Sequence, residues 1–336
     1  MLGASGPTKP RSAQNTQVIP RKLAAMEQRF MGTSGLRVSA LTLGTMTWGN
    51  ETSADTARAQ MRGFVDAGGT TVDTAVSYVE GRSEAILGEL LGDVVSRSDV
   101  VLISKAGVSH RNDKRMVDTS RRAMLAGLDA SLARLGTDHL DLWLAHVWDA
   151  NVPLEETLGA LEYAVSSGRV RYAGVSNYNG WQLARAATLC ETPLIANQVE
   201  YSLLAREAER ELVPAAEHLG AGLLCWAPLG RGVLTGKYRG QIPSDSRGAS
   251  STMAGYVEKY LDGRPSRITE ALITAAKGLG RAPLDVALSW LLEHHAVASA
   301  VVGPRTHEQL ADILTSSLDP LPEQIVTVLN EVSQLS

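Results

Sequence analysis

The sequence predicts an α/β fold, a (β/α)8 TIM barrel with an N-terminal β-hairpin and extra C-terminal helices. Three observations carry this. From Val38 onward, short β-branched apolar runs alternate with amphipathic stretches whose apolar residues recur at spacings of three and four, the order of a parallel sheet covered by helices. Eight such runs can be counted, where an open dinucleotide-binding sheet uses about six. No run is followed by the GxGxxG turn that opens such a sheet. At 336 residues the chain has room for a barrel of about 250 residues with insertions.

The predicted strands are Val38–Leu43, Thr70–Asp73, Val100–Ser104, Leu140–Leu144, Val170–Val175, Leu194–Gln198, Gly222–Trp226 and Ala298–Val302. Helices are predicted near Asp55–Ala67, Ser83–Leu91, Thr119–Leu135, Leu154–Ser166, Gly180–Thr188, Arg206–Leu219 and Pro283–Glu293. Before the first strand, Gln28–Arg37 places apolar patches around Gly32, Thr33, Ser34 and Gly35, which predicts a hairpin closing the barrel bottom. Late in the chain, Tyr238–Arg267 is rich in Gly, Ser and Arg and contains Pro243 and Pro265. It reads as a loop with room for one helix, a candidate lid on the catalytic face. Residues 1–25 are rich in Ser, Pro, Thr, Gln and basic residues without periodicity. They read as a disordered extension, native or appended, before a single domain over 26–336.

Bulk properties exclude some functions. The formal net charge of −4 leaves no basic excess for neutralising phosphates, which argues against nucleic acid as a partner. No apolar run reaches the roughly 18 residues of a membrane span, and Met1–Ala25 lacks the apolar segment of a secretory signal. A cytoplasmic protein with a small-molecule partner and no membrane partner is expected, with its oligomeric state open. Cys190 and Cys225 lie in apolar surroundings without metal-binding spacing, so reduced core cysteines and no metal site are expected.

Barrel chemistry sits at the C-terminal ends of strands. There Asp73 ends the second predicted strand with Tyr78 five residues on, Lys105 follows the third, His146 the fourth, Ser176 and Asn177 the fifth, and Gln198 ends the sixth. A lysine directly after V-V-L-I-S is costly to desolvate unless a carboxylate accompanies it, and Asp73 on the adjacent strand is placed to do so. Lys105 would stabilise the Tyr78 phenolate and lower its pKa from about 10. A neutral histidine could hydrogen-bond a substrate oxygen, an arrangement suited to protonating a carbonyl oxygen. Such barrels also permit Schiff-base chemistry in which Lys105 attacks a carbonyl; its pairing with Asp73 favours a charged lysine instead. Trp48 and Trp148 fall on the same face and are expected to line the substrate pocket, with packing between loops as the alternative.

At these residues the chain resembles the aldo-keto reductase family. V-D-T-A-V-S-Y (Val72–Tyr78), with Gly81, Ser83 and Glu84, is similar to the family's D-T-A-x-x-Y and G-x-S-E signature. I-S-K (Ile103–Lys105), D-L-W-L-A-H (Asp141–His146), G-V-S-N (Gly174–Asn177) and N-Q-V-E-Y-S (Asn197–Ser202) follow in order. So do W-A-P-L-G-R-G-V-L-T-G-K (Trp226–Lys237) and V-G-P-R-T-H-E-Q-L (Val302–Leu310).

The resemblance implies NADPH-dependent reduction of an aldehyde, ketone or keto-sugar, with Tyr78 as general acid, Lys105 and His146 tuning it, and Asp73 holding Lys105. It assigns Ser176, Asn177 and Gln198 to the nicotinamide carboxamide and Trp226 to the ring face, where family members more often stack a tyrosine. Leu229, Lys237 and Asp312 join the cofactor set. Gly303, Arg305 and Gln309 would hold the 2′-phosphate, although Thr306 and Gln309 also read as a T-x-x-Q helix cap. Val79 stands where the family has glycine after the tyrosine, narrowing the pocket mouth, and Ile313 where an asparagine often meets adenine. The Y-S-L-L-x-R stretch Tyr201–Arg206 is shared with potassium-channel β-subunits, so an NADPH-binding regulatory protein with slow turnover is the chief alternative.

Overall fold

The computed structural model describes residues 26–111, 114–244, 246–250 and 254–335; the extension read over residues 1–25 lies outside the described residues. A hairpin comes first, β1 (Gln28–Phe30) pairing antiparallel with β2 (Arg37–Ser39). Three barrel strands follow: β3 (Leu41–Gly44), β4 (Thr71–Asp73) and β5 (Val101–Ala106). A second antiparallel hairpin, β6 (Val108–Arg111) with β7 (Lys114–Val117), projects after β5. The barrel resumes with β8 (Leu140–Ala145), β9 (Val170–Ser176), β10 (Leu194–Glu200), β11 (Gly222–Trp226) and β12 (Val297–Val302). The eight barrel strands are parallel and close when β12 pairs with β3.

Helices wrap the outside: α1 (Ala54–Asp66), α2 (Arg82–Leu90), α3 (Arg121–Leu135), α4 (Leu154–Ser166), α5 (Gly180–Leu189), α6 (Ala208–Leu219), α7 (Ala254–Glu258), α8 (Gly263–Leu279), α9 (Pro283–Leu292), α10 (His307–Leu314) and α11 (Glu323–Ser333). Local chemistry sets several starts. The Ser53 and Ser120 side chains accept from the backbone N–H groups of Thr56 and Ala123, and Asn179 with Gln182 forms a reciprocal capping box. Among the described residues no helix is long and apolar enough to cross a membrane.

Two apolar layers hold the barrel. Leu43, Val72, Leu102, Trp143, Val175 and Leu223 belong to the large core between strands and helices. Ile103, Leu142, Leu144, Ile195 and Leu224 fill the interior, joined from below by Met31, Leu36 and Val38 of the first hairpin and its flank. The hairpin therefore plugs the bottom, as expected. Its turn needs Gly32, at φ +57°, because a Cβ there would lie 2.1 Å from the Gly220 carbonyl oxygen. Both cysteines are free, with Cys225 buried and Cys190 half-buried.

Three elements differ from expectation. The first predicted strand divides: Val38 belongs to the hairpin, and the barrel strand starts at Leu41. The β6–β7 hairpin was not foreseen, because its polar sequence S-H-R-N-D-K-R has no apolar alternation to report a strand. Helix α8 begins inside the segment read as a loop, which also carries α7 and a 3-10 turn at Arg247–Ala249.

Candidate active site

The ends of β4, β5 and β8 bring Asp73, Tyr78, Lys105 and His146 together. The Lys105 ammonium is fully buried and donates to Asp73 Oδ2 at 2.8 Å, to the Thr74 carbonyl at 2.8 Å and to the Tyr78 hydroxyl at 3.3 Å. All three of its protons are thereby used. The other Asp73 oxygen accepts from Gln198 Nε2 at 2.8 Å, which ties β4 to β10 across the barrel. The His146 ring meets the Tyr78 ring edge-on, with centroids 6.0 Å apart, and its Nδ1 is buried without a partner.

Electrostatics assign charge states. Burial alone would lower the Lys105 ammonium, but Asp73 and then Tyr78 outweigh it and hold it above its usual range. Lys105 stays a cation at neutral pH. Burial raises the Tyr78 phenol, and the Lys105 charge reverses this only in part. The expected lowering of Tyr78 is therefore corrected: desolvation of the phenolate wins, and the hydroxyl keeps its proton at neutral pH. His146 is held well below its usual range by burial, then by Lys105, Arg115 and His110, so its ring is neutral.

The turn that carries Tyr78 is braced from beneath. Ser83 donates to the Thr45 carbonyl at 2.8 Å, and the buried Glu84 accepts from Ser104 at 2.8 Å and from Arg134 at 3.1 Å. Val79 and Glu80 are both left-handed, at φ 48° and 56°. For the β-branched Val79 that conformation costs about 1 to 2 kcal/mol. Gly81, the following residue, is also left-handed, at φ +86°, a conformation that favours glycine.

Tyr78, Asp73 and His146 open onto a cavity of about 820 Å³, within the range of ligand sites. Ser176, Asn177, Gln198, Trp226 and Leu229 line it, as do Lys237, Gly303, Arg305, Gln309 and Asp312. Lys105 stands behind Asp73 and Tyr78 and does not line it.

Comparison with known proteins gives this geometry a context. The sequence profile described as "Aldo/keto reductase family" matches residues 40–334. The chain belongs to the aldo/keto reductase family. It is 35% identical over 321 residues to the uncharacterized oxidoreductase YrpG of Bacillus subtilis (strain 168), covering 91% of this chain and 96% of that protein. It is 33% identical over 317 residues to a probable voltage-gated potassium channel subunit beta of Oryza sativa subsp. japonica, covering 91% and 95%. To the L-glyceraldehyde 3-phosphate reductase of Escherichia coli O157:H7 it is 34% identical over 304 residues, covering 87% and 88%. The chain is an oxidoreductase of this family, similar to its channel-subunit branch.

In this aldo/keto reductase, the far end of the cavity suits an anionic cofactor. Arg247 donates to the Gly303 carbonyl at 2.8 Å while its Nε is buried without a partner. Burial, then neighbouring Arg305, lower its guanidinium from its usual value. Two guanidiniums held close with one carboxylate, Glu51, 3.4 Å from Arg305 leave room for further negative charge, which a phosphate supplies. The residues therefore fit a phosphorylated dinucleotide. Arg247 was missed because the Gly- and Ser-rich segment around it carries no periodic signal. Gln309 lines the cavity, but its Oε1 accepts the Arg305 backbone N–H at 2.9 Å and its own N–H donates to Thr306 Oγ1 at 3.2 Å. Its side-chain oxygen thus serves the turn into α10. Trp226 Nε1 donates to Asn177 Oδ1 at 3.1 Å, and Asn177 Nδ2 donates to the His146 carbonyl and to Ser176 Oγ, each at 3.0 Å.

The substrate end corrects two expectations. Trp48 is fully buried in the core and donates from Nε1 to Gln60 at 2.9 Å; it does not line the cavity, because its loop turns the ring inward beneath α1. Trp148 is set edge-on against Tyr178 and Trp181, with centroids 5.2 and 5.1 Å apart, and also lies outside the cavity wall. Met46, Arg115, Val147 and Tyr256 line it instead. Val79, read as narrowing the mouth, is likewise absent from the wall. Each of the four comes from a loop, from α7 or from the unforeseen hairpin, where no sequence period marks which side chain turns inward. Ile313 and Asp312 both line the cavity, so an apolar side chain shares the wall with the acidic one.

Proposed function

We propose that this chain is a cytoplasmic NADPH-dependent carbonyl reductase that converts an aldehyde, ketone or keto-sugar to an alcohol, with Tyr78 as general acid. NADPH, when bound, supplies the hydride. Tyr78 gives its proton to the carbonyl oxygen, and the buried Lys105 cation stabilises the phenolate left behind. Asp73 keeps Lys105 charged and is itself held by Gln198. Neutral His146 orients the carbonyl oxygen by donating one N–H. Arg305 and Arg247 favour a cofactor carrying a 2′-phosphate. The observation that carries this reading is the Tyr78 hydroxyl 3.3 Å from Lys105 Nζ, with Tyr78 and His146 on a cavity whose other end is lined by two arginines.

The alternatives lose support on geometry. A Schiff-base nucleophile must be a neutral amine facing substrate, whereas Lys105 is a buried cation behind the wall. The Tyr201–Arg206 stretch serves the fold. Arg206 binds Glu209 through two bonds of 2.7 Å and reaches Asn330 and Ser333, while Tyr201 donates to Glu209. It anchors α11 and so does not favour a regulatory reading.

Stopped-flow oxidation of bound NADPH by a panel of aldehydes tests the proposal. Tyr78→Phe is expected to slow the step about 10²- to 10⁴-fold while leaving NADPH binding intact. Equal rates in the two proteins overturn it.

A further inference from the structure

The substrate end of the cavity carries a cation that nothing in the described fold neutralises. Arg115 on β7 lies in register with His110 on β6, and Val117 with Val108. Directly opposed residues of an antiparallel pair project to one face, and alternate residues share it. Val108 is buried, so the face bearing His110 and Arg115 turns toward the barrel, and Arg111 and Lys114 take the other. Arg115 lines the cavity together with Tyr78 and His146.

The other cations of the wall are engaged. Arg231 pairs with Glu200 at 2.9 Å, Arg305 with Glu51 at 3.4 Å, and Arg247 donates to the Gly303 carbonyl at 2.8 Å. Lys237 is not free either. Among the described residues Arg115 makes no hydrogen bond or ion pair. Nor is it placed for the cofactor's phosphate end: it follows β5, whereas Arg305 follows β12, and β3 and β4 stand between those strands around the barrel. The same wall carries the apolar side chains of Met46 and Val147, and a cationic fork facing it would fix substrate orientation.

We infer that Arg115 recognises an anionic group on the substrate, a carboxylate or a phosphate ester, at the end away from the reacting carbonyl. This rests on the reductase reading of the same cavity. A guanidinium presents paired donors that match either group, and with the anion held at Arg115 the carbonyl lies toward Tyr78 and His146.

The test compares glyceraldehyde with glyceraldehyde 3-phosphate, and butyraldehyde with succinic semialdehyde, in wild type, Arg115→Gln and Arg115→Glu. Calorimetry of the NADP+-loaded protein with glycerol 3-phosphate and with glycerol supplies a readout independent of turnover. Wild type is expected to prefer the anionic member of at least one pair in kcat/KM. Arg115→Gln is expected to lower kcat/KM for that member about 10- to 100-fold and Arg115→Glu further, with neutral aldehydes changed less than about twofold. Preference in the phosphate pair alone, or the carboxylate pair alone, identifies the group. Reduction of all four aldehydes without discrimination, or an equal loss for charged and neutral members in Arg115→Gln, overturns the anion subsite and leaves the reductase reading standing. No oxidation of NADPH by any aldehyde, with Arg115-dependent binding of glycerol 3-phosphate retained, overturns the reductase reading and leaves the subsite.

Discussion

The two ends of the cavity are built by different parts of the chain. At the cofactor end, the ten residues expected from the sequence all line one space. Most sit on, or just after, a barrel strand, where sheet register fixes a side chain to within a residue. At the substrate end the wall is made by the loop after β3, the β6–β7 hairpin, the start of the loop after β8 and α7. There Trp48 turns into the core and Trp148 stays outside the wall, while Arg115 arrives from an element that the sequence did not announce. Position relative to a strand end thus locates a residue well, and position within a loop locates it poorly.

The two ends meet at the Asp73–Lys105 pair, and breaking it is expected to have the largest effect on stability. Lys105→Met leaves the buried Asp73 carboxylate with Gln198 as its remaining side-chain partner, a loss of about 3 to 5 kcal/mol. Denaturant unfolding measures it. Asp73→Asn combined with Lys105→Met is expected to lose less than the sum of the single changes, since neither partner is then left charged. Additive losses would mean that the pair does not act as a unit.

The cofactor end can be probed at Arg305. Replacement by Ala is expected to weaken NADPH binding by about 1 to 3 kcal/mol and to leave NADH nearly unchanged, measured by fluorescence titration. The contact between Arg305 and Glu51 adds a sign: Glu51→Gln frees the guanidinium and is expected to tighten NADPH. Equal losses for both cofactors on Arg305→Ala would move the 2′-phosphate away from this end.

How much could be read in advance follows the same division. The eight strands and the grouping of Asp73, Tyr78, Lys105 and His146 were legible because apolar runs mark strands and polar residues at their ends share one face. The β6–β7 hairpin was not, because Ser109, His110, Arg111, Lys114 and Arg115 give it no apolar alternation. The direction of the Tyr78 shift was also misread. Sequence shows that a lysine is near, but the desolvation that outweighs it depends on three-dimensional enclosure. Gln309 carried two readings in the sequence, and only the path of its side chain to the Arg305 N–H gives it the helix-entry role.

At the substrate end, Trp48→Phe separates core from pocket. It removes the donor to Gln60 Oε1, leaving a buried acceptor unsatisfied, and is expected to cost about 1 to 2 kcal/mol in thermal or denaturant unfolding. The KM for aldehydes is expected to stay within about twofold, because the ring does not reach the cavity. A selective rise in KM for bulky aldehydes, with stability unchanged, would return Trp48 to the pocket wall.

The smallest expected effect is at Val79, where strain and chain entropy oppose each other. Glycine occupies a left-handed conformation without the Cβ clash, so Val79→Gly relieves about 1 to 2 kcal/mol. It also adds freedom to the unfolded chain, which offsets about 0.5 to 1 kcal/mol. The net change in unfolding free energy is expected to be a gain of no more than about 1.5 kcal/mol. Val79→Ala keeps the Cβ and most of the strain, so it is expected to lack that gain. Because Val79 lies outside the cavity wall, kcat/KM for small and bulky aldehydes is expected to be equal in Val79→Gly and wild type. A gain confined to bulky aldehydes would place Val79 at the mouth after all, and would show that the braced turn under Tyr78 shapes substrate choice as well as the position of the phenol.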